Sequence, residues 1–243
     1  MIYQYYFERL MTSTNQNPSS THVALIAGAT GLVGQAILAL LLADTRYTAV
    51  HVVGRRAPAV QHPKLVVHIS ASLTDWACPA VNDVFIALGT TIKIAGSQAA
   101  FKAIDGDAVL AIASAAKAAG ATRLAVVSAM GARAQSSVFY NRVKGEMEVM
   151  VSKLGFETLV IARPSLLAGD RGALMQPERM AEKLSLLAFK WLKPLIPDNY
   201  RAITASSVAQ AMVDALQTAG AGKHVLLSGD MQKHVSNDRR SYF

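Results

Sequence analysis

The chain is 243 residues long and 52% hydrophobic, with a formal charge of +8 and an isoelectric point near 9.7. Such a length and apolar content suit one large domain with a substantial core, and they exclude disorder through the body of the chain. The basic residues are scattered, without a run or an aromatic RNA-binding signature, and no apolar stretch is long enough to span a bilayer, so neither nucleic acid nor membrane is expected as a partner.

Residues 1–20 open with MIYQYYFERL, too polar for a secretion signal, and continue through TSTNQNPSS, which has little to bury. A flexible extension is expected there, followed by a single domain over 21–230 and a C-terminal tail over 231–243. The single cysteine, Cys78, precludes an intramolecular disulfide, and no Cys/His spacing resembles a metal site. A reducing cytoplasm is the expected location, with no bound metal.

From Thr21 the pattern alternates strand and helix, which predicts a doubly wound parallel sheet of about seven strands, an α/β fold with helices on both faces. VALIA (23–27) is a continuous apolar run, as a strand buried on both faces requires. It leads directly into GATGLVG, which sets Gly28, Gly31 and Gly34 at the mouth of the helix LVGQAILALLLA. Glycines so spaced allow a tight turn, close approach of a pyrophosphate and tight packing of helix on strand. The helix start offers free N–H groups to that phosphate. Strand before and helix after is the context the motif needs, so Gly28, Thr30, Gly31, Leu32, Val33 and Gly34 are expected to bind a dinucleotide.

The second strand, YTAVHVV, ends in Gly54, Arg55 and Arg56, where an NAD-preferring protein usually carries a carboxylate for the ribose diol. A guanidinium suits a 2′-phosphate, so NADP(H) is favoured over NAD(H). LVVHI (65–69) is the third strand and DVFIAL (83–88) the fourth, and the link between them, which contains Pro79, is too short for a full crossover helix. The fourth strand runs into ALGTT, placing Leu88, Gly89 and Thr90 beyond a carboxyl end, beside the cofactor's central ribose. A long alanine-rich helix is expected from Gln98 to Ala119, ended by Gly120.

RLAVVS (123–128) closes the fifth strand on Ser128, and twelve residues later Tyr140 and Lys144 stand one turn apart in an amphipathic helix. These three side chains can converge beside a nicotinamide. ETLVIAR is the sixth strand and HVLLSG a late seventh. Between them the segment 164–205 mixes Leu166, Leu174, Phe189 and Trp191 with Arg171, Arg179 and Lys183. It is expected to form the substrate side, either as an apolar pocket with a basic rim or, for most of these residues, as an amphipathic helix packed on the core.

The motifs GATGLVG, the strand-ending Ser128 and YNRVK at 140–144 resemble those of the short-chain dehydrogenase/reductases. Within that family the strings ALGTT, AFKAIDGDAVLAIASAAKAAGATRLAVVSAMGA, FYNRVKGEMEVMV and IARPSLLAGDR resemble the atypical branch that includes Tat-interactive-protein-like oxidoreductases. The resemblance covers roughly Val23 to Leu227. It implies a Rossmann fold, NADP(H), a Ser128–Tyr140–Lys144 site, and Arg163 and Pro164 beside the nicotinamide. The aspartate that the family usually sets near the adenine is missing here, where SASL follows the third strand.

The chemistry so implied is hydride transfer to or from a largely apolar carbonyl or alcohol. A free phenol titrates near about 10, and a neighbouring ammonium draws it toward a usable acid/base. Lys144 also holds the ribose hydroxyls, and Ser128 hydrogen-bonds the carbonyl oxygen. An alternative from another class is an NADPH-binding regulatory or sensor protein whose catalysis is vestigial. Retention of all three side chains favours the enzyme.

Overall fold

The computed structural model describes residues 21–73, 76–168 and 198–238. The expected N-terminal extension and most of the substrate-side segment, including Arg171, Leu174, Arg179, Lys183, Phe189 and Trp191, lie outside the described residues.

The strands are β1 (His22–Ala27), β2 (Tyr47–Gly54), β3 (Leu65–Ile69), β4 (Asp83–Ile86), β5 (Arg123–Val127), β6 (Thr158–Arg163) and, after a short β7 (Leu167–Ala168) and β8 (Ile203–Thr204), β9 (Gly222–Leu227). Seven of them form one sheet in the order β3-β2-β1-β4-β5-β6-β9, with every neighbouring pair parallel. The order reverses between β1 and β4, the crevice where a doubly wound fold receives its ligand. β7 and β8 pair separately, so the chain leaves and rejoins the described structure at one small ladder.

Helices α1 (Leu32–Ala43) and α6 (Ala205–Thr218) cover one face of the sheet, and α4 (Ala108–Ala118) and α5 (Phe139–Ser152) the other. This arrangement explains the unbroken apolar run of β1. Ala24 and Ile26 join the core under α1 and α6, while Leu25 and Ala27 join the core under α4 and α5. In α6, Val208, Met212 and Leu216 recur at helical spacing and are fully buried. Thr204 starts it, its hydroxyl accepting the Ser207 amide at 3.1 Å. This helix had no counterpart in the sequence reading.

The long alanine-rich helix differs from the expectation. It consists of α3 (Gln98–Lys102), a π-helical turn (Ala103–Asp107) and α4, preceded by a single turn α2 (Ile92–Ala95). Asp105 lies within the π turn and is buried. Gly120, with φ of +98°, ends the helix as expected. Between β3 and β4 there is no helix among the described residues. The C-terminal tail also needs correcting, because residues 228–238 form α7 (Ser228–Asp238) and Met231 is fully buried. An apolar side chain four residues past β9 finds the α6 face and holds the helix on the domain.

Four first-of-strand residues meet at the amino edge. Asp83 is completely buried and accepts the Tyr47 hydroxyl at 2.6 Å and two Arg123 donors at 2.6 and 2.7 Å. His22 lies against the same Arg123 at 3.1 Å. Burial, with the Asp83 carboxylate beside it, pushes the Tyr47 phenol well above its ordinary value. Removing one member of a buried ionic cluster strands the others. Asp83→Ala is therefore expected to lose about 3–5 kcal/mol of stability, read from the midpoint of a urea titration.

Candidate functional site

The site begins at the turn after β1. Gly28 has φ of +89°, and a Cβ there would lie 2.5 Å from the Ala87 carbonyl oxygen at the end of β4. A Cβ on Gly34 would lie 2.0 Å from the Gly28 carbonyl oxygen. These two glycines are required by the protein's own packing. Gly31 is different, since its φ of −84° suits any residue and its nearest neighbour is at 3.4 Å. It stands at the start of α1, whose opening N–H groups have no side-chain cap and no acidic residue in the first turn. The turn is a cradle that a side chain at 31 would partly fill, and the residues present fit a dinucleotide's phosphates.

The other expected cofactor residues fall along the same carboxyl edge. The Thr30 carbonyl accepts the Gln35 side-chain Nε2 at 3.1 Å, and Val33 is buried in the core under α1. Arg55 and Arg56 are exposed after β2, and no carboxylate pairs with either among the described residues. Leu88 packs on the α4/α5 core, Gly89 is exposed, and the Thr90 amide donates to Asp105 at 2.9 Å.

β5 delivers Ser128, held in place by its amide donating to the Ala162 carbonyl at 2.7 Å. Its hydroxyl is buried, the residue being 3% exposed, and has no hydrogen-bond partner among the described residues. Such an orphan costs about 1–3 kcal/mol. Lys144 reaches the carbonyl of the preceding Val127 at 3.4 Å, which brings ammonium and serine together. Tyr140 stands one turn before Lys144, half-buried, with its ring 5.4 Å from that of Phe101.

Arg163 ends β6. Its guanidinium grips Glu148 of α5 with two hydrogen bonds, one of 2.9 Å, and that hydrogen-bonded carboxylate raises the guanidinium above its ordinary value. The side chain is committed to the helix. Pro164 is buried, and its carbonyl accepts the Met130 amide at 3.0 Å, which ties the serine loop to the end of β6.

Two residues absent from the sequence reading help to build the site. Gly145 allows the loop after Ser128 to lie on α5, for a Cβ there would meet the Arg133 and Ala134 backbone at 2.2 Å. A glycine inside a helix costs about 1 kcal/mol against alanine, and that cost was the available sign. Asp105 is 1% exposed and pairs with Lys144, itself 2% exposed, at 2.7 Å. Its signal was spacing: Phe101, Asp105 and Val109 recur every four residues, which puts a carboxylate on an apolar stripe. On the same sheet face, His51 and His68 meet at 2.8 Å and His68 leans on Trp76. Burial, then the neighbouring His68, lowers the His51 imidazole from its ordinary value.

Comparison with known proteins agrees with this geometry. Residues 28–183 match the NAD(P)H-binding family. Protein FMP52-1, mitochondrial, of Scheffersomyces stipitis is 36% identical over 204 residues, covering 80% of this chain and 88% of that protein. Protein HTATIP2 of Rattus norvegicus is 32% identical over 221 residues, covering 88% of each. Among solved structures, the Bordetella bronchiseptica enzyme WbmH in complex with NAD+ superposes with a TM-score of 0.63 at 16% identity, over 91% of this chain and 82% of that one. That likeness is one of fold. The relatives also correct the expected location: the FMP52 proteins are named mitochondrial, which points away from the cytoplasm. A lone thiol reports only a reducing environment, and more than one compartment supplies that.

The two kinds of glycine should separate in experiment. Gly34→Ala forces backbone apart and is expected to lower the thermal midpoint sharply, whereas Gly31→Ala should leave stability within about 1 kcal/mol while weakening NADPH binding measured by calorimetry.

Proposed function

The chain belongs to the NAD(P)H-binding family and is a relative of the FMP52 and HTATIP2 proteins, and on that premise we propose that it is an NADP(H)-dependent oxidoreductase acting on a carbonyl or alcohol. The observation that supports this reading best is the buried Ser128 hydroxyl, which lacks a partner beside the Lys144 ammonium at the carboxyl edge of the sheet. A substrate oxygen would be that partner.

In this reading Gly31 and the opening amides of α1 hold the pyrophosphate, Arg55 and Arg56 take the 2′-phosphate, and Leu88, Gly89 and Thr90 border the central ribose. Lys144 contacts the ribose hydroxyls. The Arg163 side chain serves α5 through Glu148, which leaves the ring contact at that corner to Pro164. The nicotinamide, when bound, supplies or accepts the hydride.

The protein's own work is to orient the substrate and to handle one proton. Ser128 donates to the carbonyl oxygen as negative charge gathers there. Tyr140 gives its phenolic proton to that oxygen in reduction and recovers it in oxidation, with the Lys144 ammonium one turn away to stabilise the phenolate. Val138 and Leu166, both exposed near this edge, offer apolar surface to the remainder of the substrate. A largely apolar substrate follows, and the relatives' names favour a mitochondrial setting.

Purified protein with NADPH and a panel of aldehydes and ketones is expected to consume the reduced cofactor, and Tyr140→Phe should cut the rate by about 100-fold or more. Equal rates in both proteins would end the enzymatic reading. Tight cofactor binding with no turnover on the panel would favour an NADPH-binding regulator instead. For the cofactor preference, Arg55→Ala or Arg56→Ala should lower the NADPH-to-NADH affinity ratio roughly tenfold, equivalent to about 1.4 kcal/mol; an unchanged ratio in both would remove the arginines from that role.

A further inference from the structure

One buried carboxylate has no part in the mechanism above. Asp105 is 1% exposed in the π-helical turn between α3 and α4, and it uses both oxygens. Oδ1 lies 2.7 Å from the Lys144 ammonium on α5, and Oδ2 accepts the Thr90 amide after β4 at 2.9 Å. The ammonium's other contact is the Val127 carbonyl at 3.4 Å, next to Ser128. Its third N–H has no partner among the described residues.

Stability alone does not account for this arrangement. Burying two opposite charges costs more desolvation than their attraction commonly returns, and an apolar residue at 105 would continue the stripe from Phe101 to Val109 and Ile112. The helix also leaves its regular register at this point, and π turns inside α-helices are frequent at functional sites.

We propose that Asp105 is a positioning residue that aims the Lys144 ammonium and ties it to the Thr90 amide, so that lysine and loop meet the cofactor's ribose as one preset unit. The inference rests on the reading of Lys144 and Thr90 as cofactor contacts.

The test is a double-mutant cycle on the full chain, with NADPH dissociation constants from calorimetry and thermal midpoints recorded alongside. Asp105→Asn is expected to weaken NADPH about tenfold, and the Asp105→Asn/Lys144→Met double variant to bind no more weakly than Lys144→Met. A residue that acts through the lysine has nothing further to lose once the lysine is gone. Wild-type affinity in folded Asp105→Asn, or a loss that adds in full to that of Lys144→Met, would overturn the proposal. If Asp105→Asn fails to fold, Asp105→Glu keeps the charge and displaces it by one methylene; it should show a similar loss of affinity, and wild-type binding there would likewise overturn the proposal. Lys144→Met binding NADPH as tightly as wild type is a different result: it would sink the reading of the lysine itself.

Discussion

The structure depends on a contact that leaves no room for a side chain. Helix α1 sits so close to the turn after β1 that the position of a Gly34 Cβ falls 2.0 Å from the Gly28 carbonyl oxygen, and Gly28 itself presses on the end of β4. This closeness fixes the direction of α1, whose uncapped amides open toward the reversal of strand order between β1 and β4. The phosphate cradle is thus a consequence of backbone packing. Gly31 is not required by that packing, and in the proposed function it is where the pyrophosphate approaches.

Buried charge is distributed at both edges of the sheet with different consequences. At the amino edge Asp83 collects Tyr47 and Arg123, side chains from the starts of neighbouring strands, and the cluster closes on itself. At the carboxyl edge the inner face of α5 carries two ion pairs one turn apart, Lys144 with Asp105 and Glu148 with Arg163. The second binds α5 to the end of β6, and the first binds it to the π turn and the β4 loop. Between them Ser128 retains a desolvated hydroxyl without a partner. In the proposed function, a substrate oxygen would be the partner that this hydroxyl lacks among the described residues.

Much of the architecture could be read in advance because it rests on local chemistry. The inner strands announced themselves as apolar runs, since a parallel sheet buried on both faces needs no alternation, whereas the edge strands β3 and β9 are apolar but half-exposed. The turn announced itself because only glycine tolerates those contacts, and Tyr140 and Lys144 because a helix places i and i+4 together. Helix α6, ASSVAQAMVDALQT, has no counterpart in the sequence reading although Val208, Ala209, Met212, Val213 and Leu216 are buried at helical spacing, four of its fourteen residues being alanines that mark neither face strongly. Helix α7 reads as tail because Met231 is the one deeply buried apolar side chain among its residues of described burial, 228–233, and one anchor makes no periodic pattern.

What the sequence determined by itself is therefore the doubly wound sheet, the glycine turn and the spacing of serine, tyrosine and lysine, all properties set by neighbours a few positions apart. Tertiary structure alone decided the partners of the buried charges. Arg163 went to Glu148, fifteen residues away, and Lys144 to Asp105, in a helix the sequence showed as regular. An ion's choice of partner depends on which elements the fold brings within about 3 Å in a desolvated space, and separation along the chain carries no record of that distance.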